Sequence, residues 1–288
     1  MDGIVLINKE KGISSFGVVA KIRKIFNIKK VGHCGTLDPE ATGVLPVMIG
    51  NATKISKYLV EHDKEYVAVL KFGIKTDSAD GEGSVIEEDG FLLKKDCEKE
   101  YRDIIEKMVG KHKQVPPMYS AIKVNGKKLY EYARAGQEIE RKERDIEIYK
   151  ILVENIDFVN NEIKFRVSCS KGTYIRTLCE TIAQNLGTIG FMKSLQRTKV
   201  DKFSIENSVT LSEVEDSVEK TKYIISIEEI FQKNESIILN NRKKELFLNG
   251  VQLSFELEDG IYRIYSNQNF IGIGIVKNKL LKRDVIVE

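Results

Sequence analysis

The chain has 288 residues, long enough for one large domain plus a small one. Its 42% hydrophobic and 31% charged content suits a soluble globular protein, and no stretch approaches the roughly 18 apolar residues of a membrane helix. A net charge of only +3 excludes a uniformly basic protein, although basic residues cluster locally at Lys21-Ile22-Arg23-Lys24, Lys29-Lys30, Lys111-His112-Lys113, Lys127-Lys128, Arg141-Lys142 and Arg242-Lys243-Lys244. Such clusters fit either phosphate contacts or ordinary solvated helix faces.

In chain order, residues 3–7 (G-I-V-L-I) predict a short buried strand. Ser14 or Ser15 caps a helix whose apolar positions are Val18, Val19, Ile22, Ile25 and Phe26. Residues 31–47 then read V-G-H-C-G-T-L-D-P-E-A-T-G-V-L-P-V. Gly32, Gly35 and Gly43 permit close backbone approach, and Pro39 biases Asp38 towards an extended conformation. With Val44 to Ile49 as a following strand, this is a stiff loop holding one carboxylate at a defined point, which suits a nucleophile or general base. A tight surface turn with Asp38 as its turn acid fits the residues equally well.

A short helix is predicted near Thr53 to Val60, and a strong strand over residues 65–75 (E-Y-V-A-V-L-K-F-G-I-K). The loop Asp77-Ser78-Ala79-Asp80-Gly81-Glu82-Gly83 leads to Val85 and Ile86 and lacks the acid spacing of a calcium-binding EF-hand. Residues 94–109 predict an amphipathic helix with Tyr101, Ile104, Ile105, Met108 and Val109 on its apolar face. Residues 110–145 are basic, carry Tyr119, Tyr130 and Tyr132, and are broken by Pro116-Pro117 and Gly126. They read as a long excursion with a short helix at Lys127 to Arg134, suited to RNA contact or to a plain surface insertion.

Two strands flank the Asn160-Asn161 turn. In S-K-G-T-Y-I-R-T-L-C-E-T-I-A-Q-N-L-G, residues 170–187, the positions Ile175, Leu178, Cys179, Ile182, Ala183 and Leu186 share one helical face, Thr173 is the expected N-cap and Gly187 ends the helix. Arg176 then stands in the first turn, where the helix dipole disfavours a cation. The residue is either an exposed arginine at a small cost or one that faces an anion, Asp38 or a phosphate. Residues 205–231 turn acidic, suggesting short helices and a linker. Short strands return at Ile237 to Leu239, Ile261 to Tyr265 and Phe270 to Val276. The four cysteines have no C-x-x-C spacing, so neither a disulfide framework nor a metal site is expected. His62 and His112, beside lysines, are expected at the solvated surface. The N-terminus has the wrong length and flanks for a signal peptide, which points to a cytoplasmic protein.

The run G-H-C-G-T-L-D-P-E-A-T-G-V-L-P resembles the catalytic loop of the TruB-type tRNA pseudouridine synthases, differing at Cys34, where threonine is usual. The resemblance extends in order through K-E-Y-V-A-V-L, Q-V-P-P-M-Y-S-A-I-K-V-N-G and K-G-T-Y-I-R-T, over roughly the first 200 residues. The first motif reads Lys9-Glu10-Lys11-Gly12-Ile13-Ser14-Ser15, with Glu10 where the family carries proline. The resemblance implies an α+β pseudouridine synthase fold with a mixed, mostly antiparallel sheet. It implies a catalytic domain over residues 1–232, with 110–145 as an RNA-gripping insertion, and a PUA-like RNA-binding domain over 233–288. It implies Asp38 as the catalytic carboxylate, Arg176 as its partner, Tyr66 stacked on the target uracil, Tyr174 against the base, Leu195 lining the pocket and His33 stabilising flipped nucleotides. The expected reaction converts uridine 55 of the tRNA T-arm to pseudouridine, by a monomer with no cofactor, metal or obligatory protein partner. A related synthase acting on another RNA, and a non-catalytic RNA-binding module, are the alternatives. Together Asp38, Tyr66, Tyr174 and Arg176 favour catalysis.

Overall fold

The computed structural model describes residues 1–59 and 62–287. The apolar run at the start forms β1 (Gly3–Lys9), two residues longer than the hydrophobic pattern because Lys9 is also buried. Helix α1 (Ser15–Phe26) is capped by Ser14, whose hydroxyl accepts from the Gly17 N–H, and ends where Asn27 takes a left-handed conformation. Strands β2 (Val31–His33) and β3 (Thr42–Ile49) flank the glycine- and proline-rich loop. The short helix expected near Thr53 is a 3-10 helix that begins earlier, over Gly50–Tyr58; Val60, the expected end, lies outside the described residues.

The predicted strand over 65–75 is two: β4 (Lys64–Phe72) and β5 (Ile74–Thr76), divided by Gly73 at φ +81°. Strand β6 (Val85–Glu88) pairs back onto β5. The helix expected over 94–109 is shorter, a 3-10 turn followed by α2 (Glu98–Glu106). Val109 is 48% exposed rather than on the apolar face, because the chain turns there to enter β7 (Gly110–Gln114). The long excursion therefore leaves the sheet only after Gln114. It carries the short strands β8 (Lys123–Val124) and β9 (Lys127–Lys128) and helix α3 (Leu129–Arg134).

Strands β10 (Arg144–Asp157) and β11 (Glu162–Cys169) form the hairpin announced by Asn160-Asn161, with Asn161 at φ +55°. Helix α4 (Ile175–Asn185) and strand β12 (Gly190–Val200) follow, and β13 (Phe203–Ser204) folds back on β12. The acidic stretch holds α5 (Leu211–Asp216), β14 (Ile224–Ser226) and α6 (Ile227–Ile230). It is more than a linker: capping boxes at Thr210/Glu213 and Ser226/Glu229 fix both helices, and β14 pairs with β1.

Among the described residues, ten strands make the central sheet in the order β14-β1-β3-β12-β4-β11-β10-β7, with β2 on β3 and β13 on β12. Only the β3–β12 pairing is parallel, so the sheet is mixed and mostly antiparallel. Alternate residues of β4, β10 and β11 face α2 and α4, where Phe72, Phe165, Ile148, Tyr101, Ile105, Leu178 and Ile182 share one core. Burying each such side chain contributes about 1.5–3 kcal/mol. On the other half, Val5, Ile7, Leu45 and Val47 pack against α1 and α5.

A second sheet follows in the order β15 (Ser236–Ile238), β17 (Gly260–Ser266), β18 (Asn269–Lys277), β19 (Leu280–Ile286) and β16 (Leu253–Ser254). Helix α7 (Asn241–Leu248), capped by Asn240, covers it through Phe247. This β-rich unit holds two strands and a helix beyond the three strands expected from sequence. It is joined to the central sheet by a shared cluster in which Ile273 and Val285 meet Ile4, Ile227, Ile230 and Phe231. Asp284 also binds the Tyr58 hydroxyl at 2.6 Å and pairs with Lys57.

Candidate active site

Asp38 lies at the tip of the loop between β2 and β3, and several buried groups hold that loop. Ser15 Oγ donates to the Leu37 carbonyl and accepts from the Leu37 N–H, both at 2.9 Å. The Gly12 N–H donates to the Pro39 carbonyl at 3.0 Å. Lys9, 0% exposed, donates from Nζ to the carbonyls of Glu10, Ile13 and Pro39 at 2.9, 2.7 and 2.8 Å. Burial pulls the Lys9 amine down to about 8, opposed by Asp38 and Glu40. Lys9 thus ties the first motif to the Asp38 loop. Lys9→Met strands the carbonyls of Glu10 and Ile13 and leaves Pro39 only the Gly12 N–H, and leaving buried polar groups unpaired costs about 1–3 kcal/mol each. We expect urea denaturation to show a loss of about 3 kcal/mol; an unchanged midpoint would remove Lys9 from this role.

Arg176 is not an exposed arginine. It is 5% exposed, and Nη2 stands 3.2 Å from Asp38 Oδ2 while Nη1 stands 3.4 Å from Asp80 Oδ2. The same guanidinium donates to the carbonyls of Ser78 and Tyr119 at 3.2 and 2.6 Å. It therefore joins the Asp38 loop, the loop after β5 and the root of the long excursion. Asp80 was not a sequence candidate. Its neighbours explain its aim: Ser78 Oγ and the Glu82 N–H both donate to Oδ1, and Ala79 takes a left-handed φ of +59° between them. The only sequence signal was a turn-forming D-S-A-D-G-E-G run.

Thr173 is not the N-cap of α4. Its hydroxyl donates to the Ser170 carbonyl, and the half-buried Tyr174 occupies the cap position without a side-chain bond to the helix. Gln114 fixes Tyr174 instead, accepting from its N–H at 2.8 Å and donating to its carbonyl at 3.0 Å.

Asp38, Ala41, Asp80, Glu82, Met192 and Leu195 line a cleft of about 70 Å³. Lys11 and Glu40 form an ion pair of 2.7 Å in the same lining. Burial, then Asp80, Glu40 and Asp38, push Glu82 upward. Tyr66, on β4, is 7% exposed and shares a cluster with Leu37 and Ala41 of the loop, against which Leu195 packs. Burial drives its phenol up to about 12, and Arg197 opposes that shift. His33 sits on β2 opposite Val47, outside the cleft lining, with Nδ1 buried and unpartnered. Burial, then Arg197, lowers its pKa. Cys34 is 2% exposed and packs with Ile4, Leu6 and Val44, so the departure from threonine points into a core rather than at Asp38.

Arg197, two residues beyond Leu195 and not a sequence candidate, is another charge in this region and is 1% exposed. Its Nε donates to the Val44 carbonyl at 2.9 Å and its Nη2 to the Gly35 carbonyl at 3.0 Å, the two flanks of the Asp38 loop. Gly43 is required here: a Cβ would lie 2.1 Å from the Arg197 carbonyl oxygen, at a φ of +107°. His62 and His112 are half-buried, not solvated: His62 contacts the Tyr58 carbonyl and lies 3.7 Å from Asp201, and His112 lies 2.8 Å from the Met108 carbonyl. The four cysteines are free thiols. Among the described residues no group of three His, Cys, Asp or Glu side chains is placed to hold a metal ion, and no helix is long and apolar enough to cross a membrane.

Comparison with known proteins fits this arrangement. Residues 23–175 match the family model described as TruB family pseudouridylate synthase, N-terminal domain. Residues 176–232 match the one described as tRNA pseudouridylate synthase B C-terminal domain. A tRNA pseudouridine synthase B of Clostridium kluyveri is 46% identical, covering 96% of each chain. One of Francisella philomiragia is 40% identical, covering 100% of this chain and 97% of its own. A solved Cbf5-Nop10-Gar1 complex matches with a TM-score of 0.68 at 25% identity, covering 99% of this chain and 84% of that one. An H/ACA RNP bound to a substrate RNA matches with the same TM-score at 23% identity, over the same shares, and shows the fold alone.

Proposed function

The chain belongs to the TruB family of pseudouridylate synthases, and we propose that it converts the uridine at position 55 of the tRNA T-arm to pseudouridine, with Asp38 as the acting carboxylate. One observation carries the reading: the exposed tip of a rigid loop places Asp38, 42% exposed, beside a buried Arg176 at the edge of a small cleft. A carboxylate fixed at a cleft and backed by a buried cation suits chemistry on a neutral nucleoside.

The reaction breaks the N1–C1′ bond, turns the base and joins C5 to C1′. C5 loses a proton and N1 gains one, so there is no net redox change. Asp38 acts at C1′, at C6 or on the C2′ proton. The target base first leaves its stack, at a cost of about a few kcal/mol. Tyr66 stacks on the uracil, Tyr174 borders it, Leu195 forms the pocket wall, and His33 supports the flipped nucleotides. Stacking offers area with a polar tip, so Tyr66→Phe retains more turnover than Tyr66→Leu. Single-turnover rates check this, and equal rates for the two would count against stacking.

Phosphate and base contacts from the excursion offset the flipping cost. There Lys128 lies over the Tyr130 ring and Lys127 over the Tyr132 ring, at 5.3 and 6.0 Å. Residues 233–288 extend the RNA surface as a PUA-like domain, with Arg242 and Lys243 on α7. The protein works as a cytoplasmic monomer without an obligatory protein partner, and RNA binding also assists tRNA folding. Incubating purified protein with unmodified tRNA tests the reading. We expect one pseudouridine, at position 55, and none when that position is cytidine; modification elsewhere would move the substrate assignment.

A further inference from the structure

Arg197 is buried beneath the site without an acid. Among the described residues it makes no ion pair with a carboxylate, and its titratable neighbours are Tyr66, Cys34, His33, Lys64 and Lys9. Its guanidinium donates to the carbonyls of Gly35 and Val44 and is close enough to the Tyr66 phenol to favour its ionised form. Arg197 also stands opposite Tyr66 in the β12–β4 register and opposite Gly43 in the β12–β3 register. The loop makes room for it: a Cβ on Gly35 would meet Nη1 at 3.1 Å.

Burying an ion without a counter-ion is expensive, and two carbonyls need only donors, which a neutral amide supplies. The charge therefore answers to something absent from the resting protein. Its field is evident nearby: after burial, Arg197 is the next influence lowering His33 and Lys64. Asp38, Glu40, Asp80 and Glu82 outnumber Lys11 and Lys193 in the cleft lining, so the cleft is negative while the buried ground beside Tyr66 is positive.

We infer that Arg197 is a positioning residue that holds a full positive charge beside Tyr66 to balance the anion that the detached uracil becomes. Resting on the synthase reading above, the step balances as follows. When Asp38 attacks C1′ or takes the C2′ proton, the N1–C1′ bond gives its electron pair to N1. The charge spreads over N1, O2 and O4 of the uracil. Arg197 and Tyr66 are cross-strand neighbours, so a base stacked on the Tyr66 ring lies within the field of the guanidinium, in surroundings where a fixed charge acts strongly. C5 then supplies the pair for the new bond to C1′, which expels the Asp38 carboxylate from C1′ or, on the other route, draws the C2′ proton back from Asp38; the base is neutral from that point, and the C5 proton then moves to N1.

Two variants separate charge from hydrogen bonding. Arg197→Gln keeps donors for the loop carbonyls and loses the charge; Arg197→Lys keeps the charge. Both are assayed in single turnover on T-arm RNA carrying uridine or 5-fluorouridine, whose fluorine stabilises the same anion, reading loss of the original nucleoside. Wild-type turnover of uridine in the same assay tests the synthase reading independently. We expect Arg197→Gln to slow uridine about 100-fold, the scale for losing one stabiliser of a developing anion. Its defect on 5-fluorouridine is at least several-fold smaller, Arg197→Lys stays near wild type, and RNA affinity is unchanged in both. Equal defects on the two substrates, or Lys as slow as Gln, overturn the proposal. Should Arg197→Gln unfold, Arg197→Lys alone decides. Its buried ammonium, unlike guanidinium, sheds its proton at accessible pH. Its rate then falls with rising pH relative to wild type, and a parallel profile overturns the proposal.

Discussion

Asp38→Asn abolishes pseudouridine formation while T-arm RNA still binds with wild-type affinity. The substitution is nearly isosteric, so the loop contacts of Leu37, Pro39 and Ala41 survive, being made by backbone atoms. What disappears is the charge that faces Arg176 and the oxygen that attacks carbon or takes a proton. An amide does neither. The expected loss is about four orders of magnitude or more in the single-turnover rate, the scale for removing a group from a catalytic unit. Filter binding measures the affinity, and circular dichroism confirms the fold. A variant that binds RNA and turns over at the wild-type rate would transfer the chemistry to another residue.

Arg176→Met is the second large effect, and it strikes both rate and stability. The guanidinium serves Asp38, Asp80 and the carbonyls of Ser78 and Tyr119 at once. Methionine fills the volume and leaves two carboxylates and two carbonyls without their cation. Removing one partner of a buried ion pair costs about 3–5 kcal/mol. The Asp80 carboxylate, 14% exposed, bears most of that cost, because the Asp38 carboxylate reaches solvent. Turnover falls at least about 100-fold because the Asp38 loop, the loop after β5 and the excursion lose their common tie. Arg176→Lys keeps charge without the planar fork that meets four oxygens, so it recovers stability better than rate. Denaturation midpoints and single-turnover rates measured on both variants check the two parts. A Met variant with wild-type stability would show that the four contacts are not formed together.

What was readable in the sequence had a local cause. Ser14 before a helical pattern, Asn160-Asn161 between two apolar runs, and the glycine- and proline-rich loop all act within a few residues. Strand β7 was folded into the excursion because G-K-H-K-Q is polar and lies at a sheet edge. Helix α7 was hidden by N-R-K-K, whose solvated face masks the single buried anchor Phe247. Arg176 was marked out by its unfavourable place in the first turn of a helix and by the resemblance, whereas Lys9 and Arg197 show the deeper limit. A cation reads as surface in any pattern, and only the assembled sheet shows which carbonyls and carboxylates surround it. Thr173 met the local rule for an N-cap, and the Ser170 carbonyl took its hydroxyl instead.

The most direct test is a crystal structure of the Asp38→Asn protein with a T-arm stem-loop. The account predicts the uracil of residue 55 swung out of the loop, one face on Tyr66 and its edge against Leu195, with C1′ beside the side chain of residue 38. A bound stem-loop whose uracil stays stacked in the RNA, with the cleft between Asp80 and Leu195 empty, would contradict it.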